Sequence, residues 1–215
     1  PPPHPRLDKN ATNPRTRAFA EYDCFRYTLD DFKEKARVLK AGCFLVEVLP
    51  AENENNYEYL YQIKQYAKEA GFVYYSKVSW KKGTFVSNTG RKAKNTQDIM
   101  IFSKGKARYM RYDKKKSDLT GKKCYMSGCN GMLPAMFDVQ PVARKNKIHQ
   151  SELPVQLCEE ILEYVTYEGE IILDSFAGSG AVGVAALNKK RSCILIEILK
   201  ENIEKIRTRF NSVLY

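Results

Sequence analysis

The chain of 215 residues has no apolar run near the roughly 18 residues that a membrane span requires, and its start, Pro1-Pro2-Pro3-His4-Pro5, lacks the apolar core of a secretory signal. Histidine is scarce. His4 and His149 are the only two, so the Cys124 and Cys129 pair has few partners for a metal site and lacks the second pair that zinc spacing demands. The six cysteines (Cys24, Cys43, Cys124, Cys129, Cys158 and Cys193) are scattered, and three lie in apolar segments. That usage fits small buried side chains in a reducing, cytoplasmic setting better than a disulfide framework. No internal repeat is present, which excludes a solenoid.

What is present begins with 43% hydrophobic residues, enough for one globular domain with a sizeable core. The net charge of +11 is unevenly placed. Lys77 to Lys123 holds 15 basic and 3 acidic residues, leaving 21 basic and 22 acidic among the other 168. Positive charge gathered in one segment attracts a polyanion, and each neutralised phosphate releases counterions. The alternative is a solvated, lysine-rich loop.

Periodicity organises the rest. Thr28 caps a helical pattern with Leu29, Phe32, Ala36 and Leu39 on one face, closed by Gly42. Cys43 to Leu49 reads as a buried strand stopped by Pro50, and Tyr57 to Ala70 as a helix. Phe72 to Trp80 and Asp98 to Phe102 read as strands on either side of a polar loop, Lys81 to Gln97. Residues 103–148 show no clear period and read as a long insertion. Pro154 opens a helix, followed by a strand Ile171 to Asp174, a loop Phe176 to Gly180, a helix Ala181 to Lys189, a strand Ser192 to Ile198 and an amphipathic end helix. This alternation predicts an α/β fold with a mostly parallel sheet and helices on both faces.

Gly178, Gly180 and Gly183 match G-x-G-x-x-G between a strand and a helix, a pattern that two cofactor classes share. Asp174, four residues before Gly178, separates them. A carboxylate there repels the pyrophosphate of a nicotinamide cofactor and attracts the ammonium and sulfonium of S-adenosyl-L-methionine. Backbone donors of the loop and the helix start can meet that molecule's carboxylate. Glu197, at the end of the next strand, can accept hydrogen bonds from ribose hydroxyls in either class.

Together, Ile171-Ile172-Leu173-Asp174-Ser175-Phe176-Ala177-Gly178-Ser179-Gly180, Glu197 and the preceding His149-Gln150-Ser151-Glu152-Leu153-Pro154-Val155 resemble the cofactor motifs of amino-methylating DNA methyltransferases. That family shows H-P-T-E-K-P-V before a helix, then D-P-F-A-G-S-G, then an acid. The basic stretch from Lys77 to Arg108 is similar to the middle of these enzymes. In this chain Leu153 stands where the motif has lysine, Ala181 and Val182 where threonines often follow, and Ser175 where proline is usual.

The resemblance implies a Rossmann-like methyltransferase fold that is incomplete at the N-terminus, in a single domain of residues 1–215. Residues 77–148 would be a basic DNA-contacting, target-recognition insertion, and 149–215 the cofactor-binding part. It implies cofactor binding by His149, Ser151, Asp174, Phe176, Ala177, Gly178, Ser179, Gly180 and Glu197. Lys81, Lys82, Asn88, Arg91, Lys92 and Lys94 would contact double-stranded DNA, the lysines through phosphates, and Asn88 or Arg91 through base edges. In the permuted branch a D-P-P-Y or S-P-P-Y motif precedes both cofactor motifs, so Pro1 and Pro2 would be the remnant of the catalytic motif, its acid or serine and further strands lying upstream. The alternative is a proline-rich start without catalytic meaning. Pro3 stands where an aromatic would face the flipped base, a task open to Tyr22, Phe25 or Phe19.

The expected activity is methyl transfer to the exocyclic amine of adenine, in a bacterial or phage-encoded cytoplasmic enzyme. A homodimer and a cognate restriction enzyme are the further partners that the resemblance implies. The rivals are a cytosine amino-methyltransferase, a non-catalytic nucleic-acid-binding relative and a nicotinamide-dependent oxidoreductase.

Overall fold

A computed structural model describes residues 26–83, 96–110, 116–117, 123–124, 133–149 and 151–214. The first helix, α1 (Leu29–Val38), starts where Thr28 and Asp31 form a reciprocal capping box, with Thr28 N donating to Asp31 Oδ2 at 2.7 Å. Acids in its first turn and bases in its last complement the helix dipole. Strand β1 (Phe44–Pro50), helix α2 (Tyr57–Glu69) and strands β2 (Phe72–Lys81) and β3 (Thr96–Lys104) follow. The two-residue strands β4 (Lys116–Ser117) and β5 (Lys123–Cys124) pair with each other, and β6 (Met136–Asp138) precedes a short 3-10 turn at Arg144–Asn146. The chain continues through α3 (Val155–Val165), β7 (Ile171–Asp174), α4 (Ala181–Asn188), β8 (Ser192–Leu195) and α5 (Lys200–Leu214).

The α/β, Rossmann-like reading holds, but the pairing is mixed rather than mostly parallel. β7 and β8 are parallel, as their connection through α4 requires. The four-stranded sheet has the order β1-β3-β2-β6. There β3 runs antiparallel to both β1 and β2, and only β6 joins in parallel. In an antiparallel pair of this kind opposite residues alternate between hydrogen-bonded and non-hydrogen-bonded pairs, and β2 and β3 keep that register from the pair Phe72 and Lys104 to the pair Lys81 and Thr96, with one irregularity between Tyr74 and Ser76. β3 lies within the stretch read as a basic insertion, yet it is the most deeply buried strand of the sheet.

Alternation along β3 divides the core. Ile99 and Ile101 face a cluster with Leu157, Ile161 and Leu162 of α3, while Met100 and Phe102 face one with Phe32, Leu60 and Ile63 of α1 and α2. Helices therefore cover both faces of this sheet. The β7–β8 pair is covered by helices α3 and α4 on the Ile172 and Cys193 side, while Ile171, Leu173 and Ile194 are exposed on the other. Arg108, just after β3, donates to Glu170 Oε2 ahead of β7 at 2.6 Å and to the Val165 carbonyl at 3.1 Å, which ties the two sheets together. Among the described residues no helix is long and apolar enough to cross a membrane.

Candidate functional site

The glycine loop is built by the parallel pair beneath it. β7 ends at Asp174, whose carbonyl accepts from Ile196 N at 2.9 Å, and Ala177 N returns a bond to the Ile196 carbonyl at 3.0 Å. The chain then turns through Gly178 (φ +51°) and Gly180 (φ +74°), left-handed conformations that a side chain strains, and Gly180 caps α4. Gly183 has another cause. A Cβ there would lie 2.6 Å from Phe210 Cζ and 2.7 Å from Leu195 Cδ1, so its absence lets α4 close onto α5 and β8.

Beside the loop lies a cavity of about 660 Å³, within the range that holds a cofactor. One wall is the Phe44–Val48 stretch of β1 and the other is Ile171 to Asp174 of β7. Asp174 is part of this lining, its Oδ1 accepting from Phe176 N at 3.0 Å. Burial raises its carboxyl above the ordinary carboxylate range; the Phe176 N–H opposes the rise, and the Glu47 and Glu197 carboxylates add to it. A carboxyl in that state gains from a cation beside it. Phe176 packs edge-on against Tyr27, with ring centroids 6.4 Å apart.

His149 faces the loop from the other motif. Its Nδ1 accepts from Ser151 N at 3.2 Å and stands 3.5 Å from the point a Cβ on Gly178 would occupy. Burial lowers its imidazole below the ordinary range, against the pull of Glu197 and Glu152. His149, Ser151, Asp174, Phe176, Ala177, Gly178 and Ser179 thus line one cavity, and of the expected cofactor residues Gly180 and Glu197 do not. Glu197 is turned to the backbone instead, Oε2 accepting from Gly178 N at 2.8 Å and Oε1 from Leu199 N at 2.9 Å. Each carboxylate oxygen retains a second lone pair for a hydroxyl donor. Leu153, in the motif's lysine position, is buried in the core with α3 and supplies no charge.

The basic residues are elsewhere. Lys81 pairs with Asp138 at 2.8 Å, and the Lys82 ammonium lies 5.0 Å from the centre of the Trp80 ring. Burial and the neighbouring Lys147 lower the Lys82 pKa. Asn88, Arg91, Lys92 and Lys94 lie outside the described residues, as do Pro1, Pro2, Pro3, Phe19, Tyr22 and Phe25. Cys43, Cys158 and Cys193 are free thiols, and burial pushes Cys158 up to about 12.

Two features of the site escape a reading of motifs. Glu47 of β1, 5% exposed, accepts from Tyr27 Oη at 2.8 Å and pairs with Lys35. A charged residue within the apolar run Phe44 to Leu49 was the available signal. Glu152, the acid of the His149 motif, is held by Arg209 of α5 at 2.8 Å, a contact across 57 residues that no local pattern foretells.

A profile of the family described as DNA methylase, covering N6 and N4 enzymes, matches residues 9–208. The chain is 28% identical over 161 residues to the type II methyltransferase M.HpaI of Haemophilus parainfluenzae, which covers 72% of this chain and 50% of that protein. It is 29% identical over 164 residues to the type II methyltransferase M2.DpnII of Streptococcus pneumoniae, covering 71% and 57%. The chain thus spans about half the length of these curated relatives. Among solved structures, an M1.HpyAVI–SAM complex superposes with a TM-score of 0.66 at 23% identity, over 85% of this chain and 81% of that one, a likeness of fold.

Proposed function

The chain belongs to the DNA methylase family of amino-methyltransferases, and from that premise we propose that it is an S-adenosyl-L-methionine-dependent, site-specific methyltransferase acting on double-stranded DNA, with the exocyclic amine of adenine as the acceptor. The observation that carries the reading is Asp174, a carboxyl raised by burial at the tip of β7, lining the same cavity as the left-handed loop residue Gly178. A cation is the ligand that favours the ionised form of such a carboxyl, and an anionic pyrophosphate is the one it opposes. The residues therefore fit S-adenosyl-L-methionine. When bound it supplies a methyl group on a positively charged sulfur.

This chain's own residues bind and orient. Asp174 meets positive charge, the start of α4 offers its dipole to the carboxylate end, and the second lone pairs of Glu197, whose Oε2 already holds Gly178 N, take ribose hydroxyls. His149 and Ser151 border the loop and limit how far it can shift. Lys81, Lys82, Asn88, Arg91, Lys92 and Lys94 are the DNA contacts of this reading, supported by the charge concentrated in Lys77 to Lys123. An exocyclic amine is a weak nucleophile because its lone pair is delocalised, so it needs an acceptor for its hydrogens. Pro1 and Pro2 stand for that motif by resemblance of sequence, their rigid backbone suited to aiming a carbonyl.

The test is transfer of labelled methyl from S-adenosyl-L-methionine to DNA, followed by nucleoside analysis. Label in N6-methyladenine is expected. Label in N4-methylcytosine would replace the base assignment, and binding of both ligands without transfer would leave a non-catalytic relative. A thermal shift with a nicotinamide cofactor, and none with S-adenosyl-L-methionine, would overturn the reading.

A further inference from the structure

One ion pair, whose Glu152 lines the cavity, joins three separate pieces of the site. The Glu152 side chain is 2% exposed, and its Oε2 accepts from Ile148 N at 2.8 Å and, more loosely, from His149 N at 3.5 Å. Its Oε1 accepts from Arg209 Nη1 at 2.8 Å, and the same nitrogen donates to the Ser179 carbonyl at 3.1 Å. One guanidinium on α5 thus binds the turn that presents His149 and the loop that presents Gly178. Those two segments lie close enough that a Cβ added to Gly178 would stand 3.5 Å from His149 Nδ1. The packing beneath is of one piece with this, since a Cβ on Gly180 would touch Ile206 at 3.2 Å and Phe210 at 3.4 Å, both on α5.

A buried ion pair gives little net stability over an apolar pair of the same volume, because desolvation offsets its attraction. What it does give is direction. A planar guanidinium with several donors can satisfy a carboxylate and a carbonyl at fixed angles, which an ammonium cannot do at once. The structure assigns Arg209 and Glu152 as the positioning pair of the site: they set the distance between the His149 turn and the glycine loop, and thereby the shape offered to the nucleoside end of the cofactor. The cofactor part of this inference rests on the reading given above.

The test compares Arg209→Met, Arg209→Lys and, on the solvent face of the same helix, Arg207→Met. Arg207 pairs with Glu204 in the open, so its loss gauges damage to α5 alone. Arg209→Lys keeps the buried charge and the fold if Arg209→Met loses them. Amide exchange is followed by mass spectrometry in the unliganded chain, and S-adenosyl-L-methionine binding by calorimetry. In Arg209→Lys, exchange should quicken about tenfold or more in residues 148–153 and 176–180 while 99–102 in β3 stay protected. Cofactor affinity should fall about tenfold to a hundredfold, the usual penalty of a displaced binding group. Unchanged exchange in both segments, or exchange raised equally in β3, overturns the assignment. Locally raised exchange in Arg209→Lys, with no S-adenosyl-L-methionine binding by the unsubstituted chain, would uphold the coupling and remove the cofactor reading.

Discussion

Replacing Asp174 with asparagine should strengthen the fold and weaken the binding site. The asparagine oxygen can still accept from Phe176 N, so the turn after β7 keeps its bond. What goes is a charge that burial disfavours. Burial raises the Asp174 carboxyl above the value of about 3.9 it has in an unfolded chain. The folded state therefore holds the proton more tightly, and stability declines as pH climbs from that unfolded value through the raised folded one. Asparagine removes the decline. The difference in Tm between variant and parent should be near zero at low pH, where both side chains are neutral, and should open as pH rises. At neutral pH it should level near 1 kcal/mol, the size of a typical function-for-stability exchange, or about 2–4 °C for a chain of this length. Binding should move the other way. A hydrogen bond to a charged group contributes about 1.5–3 kcal/mol, so S-adenosyl-L-methionine affinity should drop about 10- to 150-fold. Melting curves from pH 3.5 to 7.5, with and without the cofactor, read both effects. A lower Tm for Asp174→Asn at pH 7.5, or an affinity within twofold of the parent, would refute the reasoning.

Glu197→Gln leaves one oxygen for two backbone donors, Gly178 N and Leu199 N, and should cost about 1 kcal/mol at this half-buried position; a urea midpoint equal to the parent's would contradict the geometry. Gly180→Ala places a side chain at φ +74° and 3.2 Å from Ile206, which together should cost about 1–3 kcal/mol. It is checked by thermal denaturation, where a Tm within 1 °C would count against the close packing of α5. The triple variant Lys81→Ala, Lys82→Ala, Lys94→Ala should weaken DNA binding whatever the sequence and flatten its salt dependence by about one unit of slope for each phosphate that is no longer neutralised. An unchanged slope in a salt titration would remove these lysines from the DNA interface.

Local signals in the sequence carried well where the physics is local. Thr28 and Asp31 form their capping box within one turn, and Pro154 starts α3 because its missing donor is not needed there. The strand, glycine turn and helix from Ile171 to Asn188 lie where the apolar run and the glycines place them. β8 is shorter than its apolar run, ending at Leu195, because β7 ends at Asp174 and beyond it only Ile196 bonds the turning chain, through the Asp174 carbonyl and Ala177 N. The direction of β3 was not legible. Its apolar run suits a parallel or an antiparallel neighbour, and only its pairing with β1 and β2 in the folded sheet decides between them.

The sequence by itself determined the cofactor motifs, their order and the uneven charge, since these depend on residue type and spacing along the chain. The tertiary structure decided what each acid does. Asp174 ends β7 and Glu197 follows β8 by two residues, yet one lines the cavity and is raised in pKa while the other is turned to two backbone amides. Glu152 belongs to a recognisable motif, but its partner Arg209 is 57 residues away. Burial, desolvation and contacts of that length arise only when distant segments pack together, and no spacing along the chain encodes them.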